Sequence, residues 1–485
     1  MLIPGKVSNI NEFITVPSLL AFKEQGIGVI FDLPMAFIEF LFKIEDPRDY
    51  YLLRHFFNFL IFFISVYFFY LIAKKRFNSK FIGLLAATLL ISSPRIFAES
   101  FYNNKDLVFM SLFIISLYAA LNFLAKPSLK NIIFFSLTSS LAIDLRILGV
   151  ILPVIVILLY FVDIYKDSNI KKRSIKIILL FISTHIFFII LFWPYLWENP
   201  LENFISVLSN LSNFKIDIYN FYLGEYVNAK NLPWHYPIVW QVITIPIFYL
   251  IFFFIGLYLI SYRFIQRLSD FENNEFWKND EELQDLLFLS IYLLPLIFVI
   301  ISNSTLYDGW RHLYFVYPSF LLVGLSGLDF IQKRFFMRFG KFFYLLIFLM
   351  VVPTIVWMVK YHPYQYSYFN IFAGKNYSEN FEMDYWGLSN YESLKQILKK
   401  NKGEIKISSI STTDLQLTKK FLPSELRKNI KIVDNLNDAD YVINNFRDWK
   451  GATKNYELLI PENFHLFHEI KINDISINTI YKKEE

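Results

Sequence analysis

Apolar residues in this chain come in long runs rather than in alternation or a helical stripe. Ten runs stand out, at 55–73, 81–94, 107–125, 131–143, 147–164, 177–193, 238–261, 286–302, 313–331 and 341–359. Runs of this kind predict membrane-spanning helices, although several fall short of the roughly 20 residues that cross hydrocarbon. A short span is tolerable where neighbouring helices or a water-filled cavity cover its ends. The runs 131–143 and 147–164 also read as one long stretch. Asp144 and Arg146 divide it, because charges at mid-bilayer are costly.

The polar stretches between the runs set the orientation. Basic clusters fall at Lys74–Lys80, Lys126–Lys130, Lys166–Lys176, Arg263–Arg267 and Lys333–Lys341, always in alternate loops. They therefore share one face, which the positive-inside rule makes cytoplasmic. The opposite face then holds residues 1–54, the loops 95–106, 144–146, 194–237 and 303–312, and the tail from about 360. Within the N-terminal segment, Asp32-Leu33-Pro34 opens an apolar stretch to Phe42 that predicts a surface helix. The start, MLIPGKVSNINEF, lacks the basic and then apolar order of a signal peptide. An N-terminus outside the cell thus predicts either a further span upstream of Met1 or unaided translocation.

The tail changes character. An amphipathic helix is expected over 389–400 and another near 414–421, with strands at 404–411, 430–434, 440–444 and 470–481. The predicted fold is an α-helical polytopic membrane protein of about ten spans with a small C-terminal α/β domain outside the membrane. The expected divisions are an external segment 1–54, a transmembrane domain 55–360, a membrane-proximal segment 361–388 and the α/β domain 389–485.

Composition agrees. Of 485 residues 55% are hydrophobic and only 18% charged, against about 25% in an average soluble domain. The net charge of +5 is modest, and the absence of cysteine excludes disulfides and thiolate metal sites. No Walker A loop, GxGxxG turn, HExxH or GxSxG is present, which leaves an ATP-driven pump or soluble-type hydrolase unsupported.

Candidate chemistry gathers in the external loops. PRIFAESFYNNKD at 94–106 places Arg95, Glu99, Asn103, Asn104, Lys105 and Asp106 in one short turn. Arg and Lys there suit phosphate or pyrophosphate, and Asp106 suits a base or metal ligand. The plainer reading is a set of interfacial charges that snorkel to water. Asp144 and Arg146 form a tight turn, either as a local ion pair or with Arg146 facing an anionic lipid. Arg311 and His312 begin a helix, where cations oppose the helix dipole, so a ligand or partner such as Asp308 is expected. Pro233-Trp234-His235-Tyr236-Pro237 reads first as an interfacial aromatic belt, unless His235 points inward.

These segments resemble the GT-C membrane glycosyltransferases, and most closely bacterial relatives of family 39, the dolichyl-phosphate-mannose protein mannosyltransferases. The resemblance rests on FDLP (31–34), RHFFN (54–58), SPRIFAESFYNNKD (93–106), LRILG (145–149), LPWHY (232–236), DGWRHLYFVYP (308–318), HPYQYSYFN (362–370) and FEMDYWGLS (381–389). It implies a polyprenyl-phosphate sugar donor and a site on the external face of a bacterial inner membrane. It implies that the lipid phosphate lies among Arg95, Lys105, Arg146, Arg311 or His312; Asn104, His235 and Asp308 are further candidates for binding lipid phosphate or sugar. It also implies an acidic catalytic base after a first span. This chain has no such span and no Asp-Glu pair at its start, so the candidate acids are Asp106, Glu99 and Glu12. The expected reaction inverts the anomeric carbon and transfers the sugar to a protein, glycan or lipid acceptor. No cofactor is required by this scheme, and a divalent metal on Asp106 is the one alternative. Two other readings compete: a transporter or flippase of lipid-linked saccharide, and a non-catalytic envelope assembly protein. Nucleic acid is not an expected partner.

Overall fold

The computed structural model describes residues 28–166, 171–213, 216–269, 276–335, 340–401, 403–448, 450–451 and 459–484. The expected surface helix is present as α1 (Asp32–Leu41), with Phe37 and Leu41 exposed. Asp46 then caps α2 (Pro47–Arg76), accepting from the Arg48 amide at 2.8 Å with Pro47 in the first turn. Lys74, Lys75 and Arg76 close that helix, where cations complement the dipole.

Each of the ten apolar runs falls on helix, but two are broken by a bend and two more, 147–164 and 313–331, open with a 3₁₀ turn. The run 81–94 is α3 (Lys80–Ile91), which bends by 68° into α4 (Pro94–Tyr102). The expected turn after residue 94 is therefore a buried helix, started by Pro94. Next come α5 (Asp106–Ala125) and α6 (Leu129–Leu145). The division at Asp144 holds: a 3₁₀ turn over Ile147–Val150 separates α6 from α7 (Ile151–Lys166). α8 (Lys171–Phe192) and α9 (Pro200–Asn213) follow, then a hairpin of β1 (Tyr219–Tyr222) and β2 (Glu225–Asn228) inside the expected loop 194–237. The run 238–261 is broken at Ile245-Pro246 into α10 (Tyr236–Thr244) and α11 (Ile247–Ser269). α12 (Asp280–Ile301), α13 (Tyr317–Phe335) and α14 (Gly340–Lys360) complete the bundle.

Among the described residues six helices are long and apolar enough to cross a membrane, or seven if the bent α3–α4 pair counts as one span. Ile147–Val162 and Leu345–Lys360 are apolar but shorter. α13 and the 3₁₀ turn before it form the hub, buried almost throughout from Leu313 to Leu328. α11 lies directly on α13: a Cβ built at Gly256 would meet the Val323 carbonyl oxygen at 1.9 Å. Small residues let two backbones approach this closely where lipid offers no hydrophobic drive.

The tail forms α15 (Leu388–Lys400), β3 (Ile405–Ser409), α16 (Leu415–Lys420), α17 (Ser424–Arg427), β4 (Ile430–Ile432), β5 (Tyr441–Asn444), β6 (Phe464–Ile472) and β7 (Ile475–Lys483). The sheet order is β4-β3-β5-β7-β6, parallel between β4, β3 and β5 and antiparallel beyond. The single strand expected at 470–481 is instead a hairpin. Asn473 and Asp474 turn it at φ 48° and 66°, a conformation these side chains tolerate.

The sheet domain rests on the end of the bundle that begins α2 and ends α14. Arg427 pairs with Asp46 at 2.8 Å, Phe421 stacks on Tyr51, and the Trp357 indole donates to Asn473 at 3.2 Å. Ile470, Ile472 and Ile477 join the main apolar core. At the other end Asp285 is buried between Arg76 and Arg263, both at 2.7 Å.

Candidate functional site

The site is assembled where α4, α5, the 144–147 turn and the 308–312 turn meet. Asp106 opens α5, an electrostatically favourable place for a carboxylate. It bonds Arg311 Nη1 at 2.6 Å and pairs with Arg146 through its other oxygen. Asn103 fixes it, giving a 3.0 Å side-chain bond and taking the Asp106 amide at 2.9 Å. One carboxylate thus joins three segments that are distant in sequence. The Asn103 amide also bonds Glu99 at 2.5 Å, and the Tyr314 hydroxyl donates to the other Glu99 oxygen at 2.5 Å.

The second turn is held by backbone strain and a polar brace. Asp308 and Gly309 both have positive φ, 62° and 64°. Their amides donate to Asn220 Oδ1 at 3.1 Å and the Tyr236 hydroxyl at 3.1 Å. Asp308 faces Arg311 Nε at 3.0 Å and accepts from the Tyr366 hydroxyl. Burial pushes its carboxyl up to about 6, against the opposing pull of Arg311.

Arg95 lies beneath this turn. It is 2% exposed, and its guanidinium sits 4.4 Å from the Tyr366 ring centre and 4.8 Å from that of Trp240. None of its three nitrogens has a hydrogen-bond partner among the described residues. A Cβ on Gly309 would come within 3.3 Å of Nη1, so the glycine lets the guanidinium reach the turn. Other buried donors of this region also have no partner among the described residues: Trp240 Nε1 beside Arg95, Arg146 Nε beside Asp106, and Tyr102 Oη and Trp386 Nε1, whose rings pack on each other.

The structure brings together Arg95, Glu99, Asp106, Arg146, Asp308 and Arg311. His312 stands beside them, its ring edge-on to Tyr307 at 4.6 Å. Asn104 and Lys105 are half-buried at the start of α5. His235 does not join the cluster; its Nδ1 is bonded to the Tyr222 hydroxyl at 2.7 Å, at the start of α10. Its inward-pointing alternative is thereby replaced by a contact with the β1–β2 hairpin. Asp144 is engaged elsewhere, accepting from the Gly28 amide at 2.7 Å on its carbonyl and from the Ile30 amide at 2.9 Å on its carboxylate. Glu12 lies outside the described residues. As a metal ligand Asp106 fits poorly, since both oxygens are committed to guanidinium groups. Among the described residues no three His, Asp or Glu side chains group as metal ligands.

Sequence reasoning missed the strap over this cluster. Tyr385 and Trp386 lie 5.9 Å and 5.4 Å from the Arg311 guanidinium. Glu382 is paired at 2.5 Å with Arg447 of the C-terminal domain. The aromatic stretch 381–389 was the one available signal, and nothing near Arg447 in sequence marks it.

Residues 35–196 match the family model of dolichyl-phosphate-mannose-protein mannosyltransferases. That segment contains Arg95, Glu99, Asp106 and Arg146, whereas Asp308, Arg311 and His312 lie beyond it. Two solved structures are similar to the chain. ArnT from Cupriavidus metallidurans bound to undecaprenyl phosphate has 10% identity and a TM-score of 0.43, over 94% of this chain and 88% of that one. The same enzyme in its apo state has 10% identity and a TM-score of 0.42, over 94% and 87%. Comparison with curated proteins gives no match. The apolar helices are those of a multi-pass membrane protein, and its residues 35–196 are similar to the dolichyl-phosphate-mannose-protein mannosyltransferases.

Proposed function

We propose that this protein transfers a sugar from a polyprenyl-phosphate donor to an acceptor at the external face of a bacterial plasma membrane. The observation that carries this reading is the buried Arg95 guanidinium and the other buried donors of this region, which no acceptor among the described residues reaches. Burying a guanidinium without hydrogen bonds is costly. An anionic ligand rich in acceptor oxygens repays that cost, and a phosphate is such a ligand. The family match over residues 35–196 and the bound lipid phosphate in the ArnT structure point to the same donor class. The sheet domain sits at the same end of the bundle as the site, and the sequence's basic clusters belong to the other end. That supports an external site, and the division at 54, 360 and 388 belongs to the same reading.

The chemistry needs few parts. A carboxylate takes the proton of the acceptor hydroxyl, whose oxygen attacks the anomeric carbon with inversion. The bond from that carbon to the phosphate oxygen breaks, and the polyprenyl phosphate leaves with its negative charge. Arg95, Arg146, Arg311 and Lys105 stabilise that charge. His312, Asn104 and Asp308 line the same region. Asp106, bound by two guanidinium groups, is better suited to hold those cations than to accept a proton. Among the described residues Glu99 is bonded by the neutral donors Tyr314 and Asn103, so its basicity is less quenched. It is the better base among the described candidates.

The test uses the full chain in vesicles with a labelled polyprenyl-phosphate sugar. Arg311→Ala, Lys105→Ala and Asp106→Asn are each expected to reduce transfer by roughly 10²-fold or more, as loss of transition-state charge stabilisation does. Transfer that persists in all three folded variants would place the site elsewhere. Movement of intact labelled lipid without release of sugar would favour a transporter.

A further inference from the structure

The strap between α14 and α15 is gripped from two sides. From the membrane side, Tyr385 and Trp386 face the Arg311 guanidinium, and Trp386 packs on Tyr102 with ring centres 5.4 Å apart. From the other side, the loop after β5 reaches in. Phe446 has φ 59°, a left-handed turn just before Arg447. Arg447 is 5% exposed; its guanidinium bonds Glu382 at 2.5 Å and lies 4.0 Å from the Tyr385 ring centre. The same loop fixes the strap backbone, with Asn445 Nδ2 donating to the Asp384 carbonyl at 2.9 Å. The Arg447 carbonyl in turn accepts from the Thr412 amide at 2.8 Å. The Tyr385 ring therefore has one guanidinium from each domain close to it.

We propose that Arg447 is a positioning residue of the site: paired with Glu382 and stacked on Tyr385, it holds the aromatic strap 384–386 against Arg311. The C-terminal domain thereby completes a site whose charged residues lie in the helical bundle. The inference rests on the transfer reading for its activity consequences, but the strap geometry stands independently of it. A planar guanidinium suits both contacts at once, whereas lysine keeps the charge and loses the stack. Glu382 is close to Arg447, Asp308, Asp384, Tyr236 and Tyr385. Burial pushes its carboxyl up to about 7, so the ion pair weakens as pH falls through neutrality.

The experiment measures hydrogen exchange of residues 378–388 and sugar transfer in the full-length protein, for wild type, Arg447→Ala, Arg447→Lys and the pair Glu382→Gln/Arg447→Met. Arg447→Ala is expected to speed exchange in the strap severalfold. It is also expected to lower kcat about 10-fold or more, with a smaller change in the donor KM. Arg447→Lys should recover part of both. The paired variant leaves no buried charge unmatched, so it separates loss of positioning from loss of folding: it should fold and still transfer slowly. The part of the wild-type acid limb near 7 that comes from Glu382 should be missing in it, leaving the limb of the general base. Unchanged exchange in Arg447→Ala overturns the proposal, as does full transfer with a loosened strap. If wild type transfers no sugar, the functional reading fails, and the exchange result alone decides whether Arg447 holds the strap.

Discussion

Arg95, Asp106 and Arg311 were legible in the sequence because charges this dense beside apolar runs need a reason. Glu382 and Arg447 were not, because a pair 65 residues apart has no local signature. His235 bonds the Tyr222 hydroxyl, which the sequence did not convey: an aromatic-rich segment marks an interface without saying which way a ring turns. Asp308 carries a prediction that belongs to a single side chain. Its carboxyl is pushed up to about 6 by burial, above the ordinary 3.8. The folded protein therefore holds a proton there at pH values where the unfolded chain has released it. The stability from this group is full below about pH 4 and is lost as pH rises through 6. Asparagine tolerates the positive φ at this position and cannot titrate. Asp308→Asn should therefore unfold at a higher temperature relative to wild type at pH 7.5 than at pH 4. A difference in unfolding midpoint that does not change between those pH values would mean that Asp308 is not buried as an acid.

At the scale of elements, hydrophobic runs located the long helices of the bundle, but not α4 and α9, which lie in expected loops, nor where helices bend. The 68° turn between α3 and α4 depends on Pro94 restarting a helix directly after Ser92 and Ser93. That turn folds Arg95 and Glu99 inward instead of leaving them in an exposed loop, which periodicity alone does not convey. The tail hairpin was missed for a related reason: alternation continues through 470–481, and only Asn473-Asp474 marks the turn. Helix contact is likewise written in single small residues. Gly256 meets the Val323 carbonyl, and a Cβ on Gly327 would approach the Gly256 amide at 2.6 Å. Both obstacles are backbone, which cannot step aside as a side chain can. Gly256→Leu should force α11 from α13 and cost about 1–3 kcal/mol or more, as overpacking does. Leu257→Ala, at a half-buried neighbour, is the control. Equal thermal stability of Gly256→Leu and wild type in detergent would show that the two helices are not in this contact.

For the whole molecule, the rule of alternating basic loops and the described fold meet at a common arrangement. The site and the sheet domain lie at one end, and a charge cluster of another kind lies at the other. Asp285 is 1% exposed and bonds Arg76, Arg263 and the Ser326 hydroxyl, tying α2, α11, α12 and α13 together. Arg263 was legible only as an orienting charge, because a topology argument counts basic residues without asking what they touch. With Asp285 compensating both cations, this cluster is a clamp, and its removal exposes the cost of burying Arg76, since Arg263 is 39% exposed. Asp285→Ala should destabilise the folded chain by about 3–5 kcal/mol, the usual penalty for breaking a buried pair. Replacing all three charges, as Asp285→Leu with Arg76→Met and Arg263→Met, should return most of that loss, because no unmatched charge is left. The measurement is equilibrium unfolding in detergent, with polyprenyl-phosphate binding followed in parallel. The single variant should lose stability while the fraction that stays folded keeps its affinity, since the clamp lies at the end of the bundle opposite Arg311. Stability equal to wild type in Asp285→Ala would mean that Arg76 also reaches water, and that the four helices are held together by their apolar faces alone.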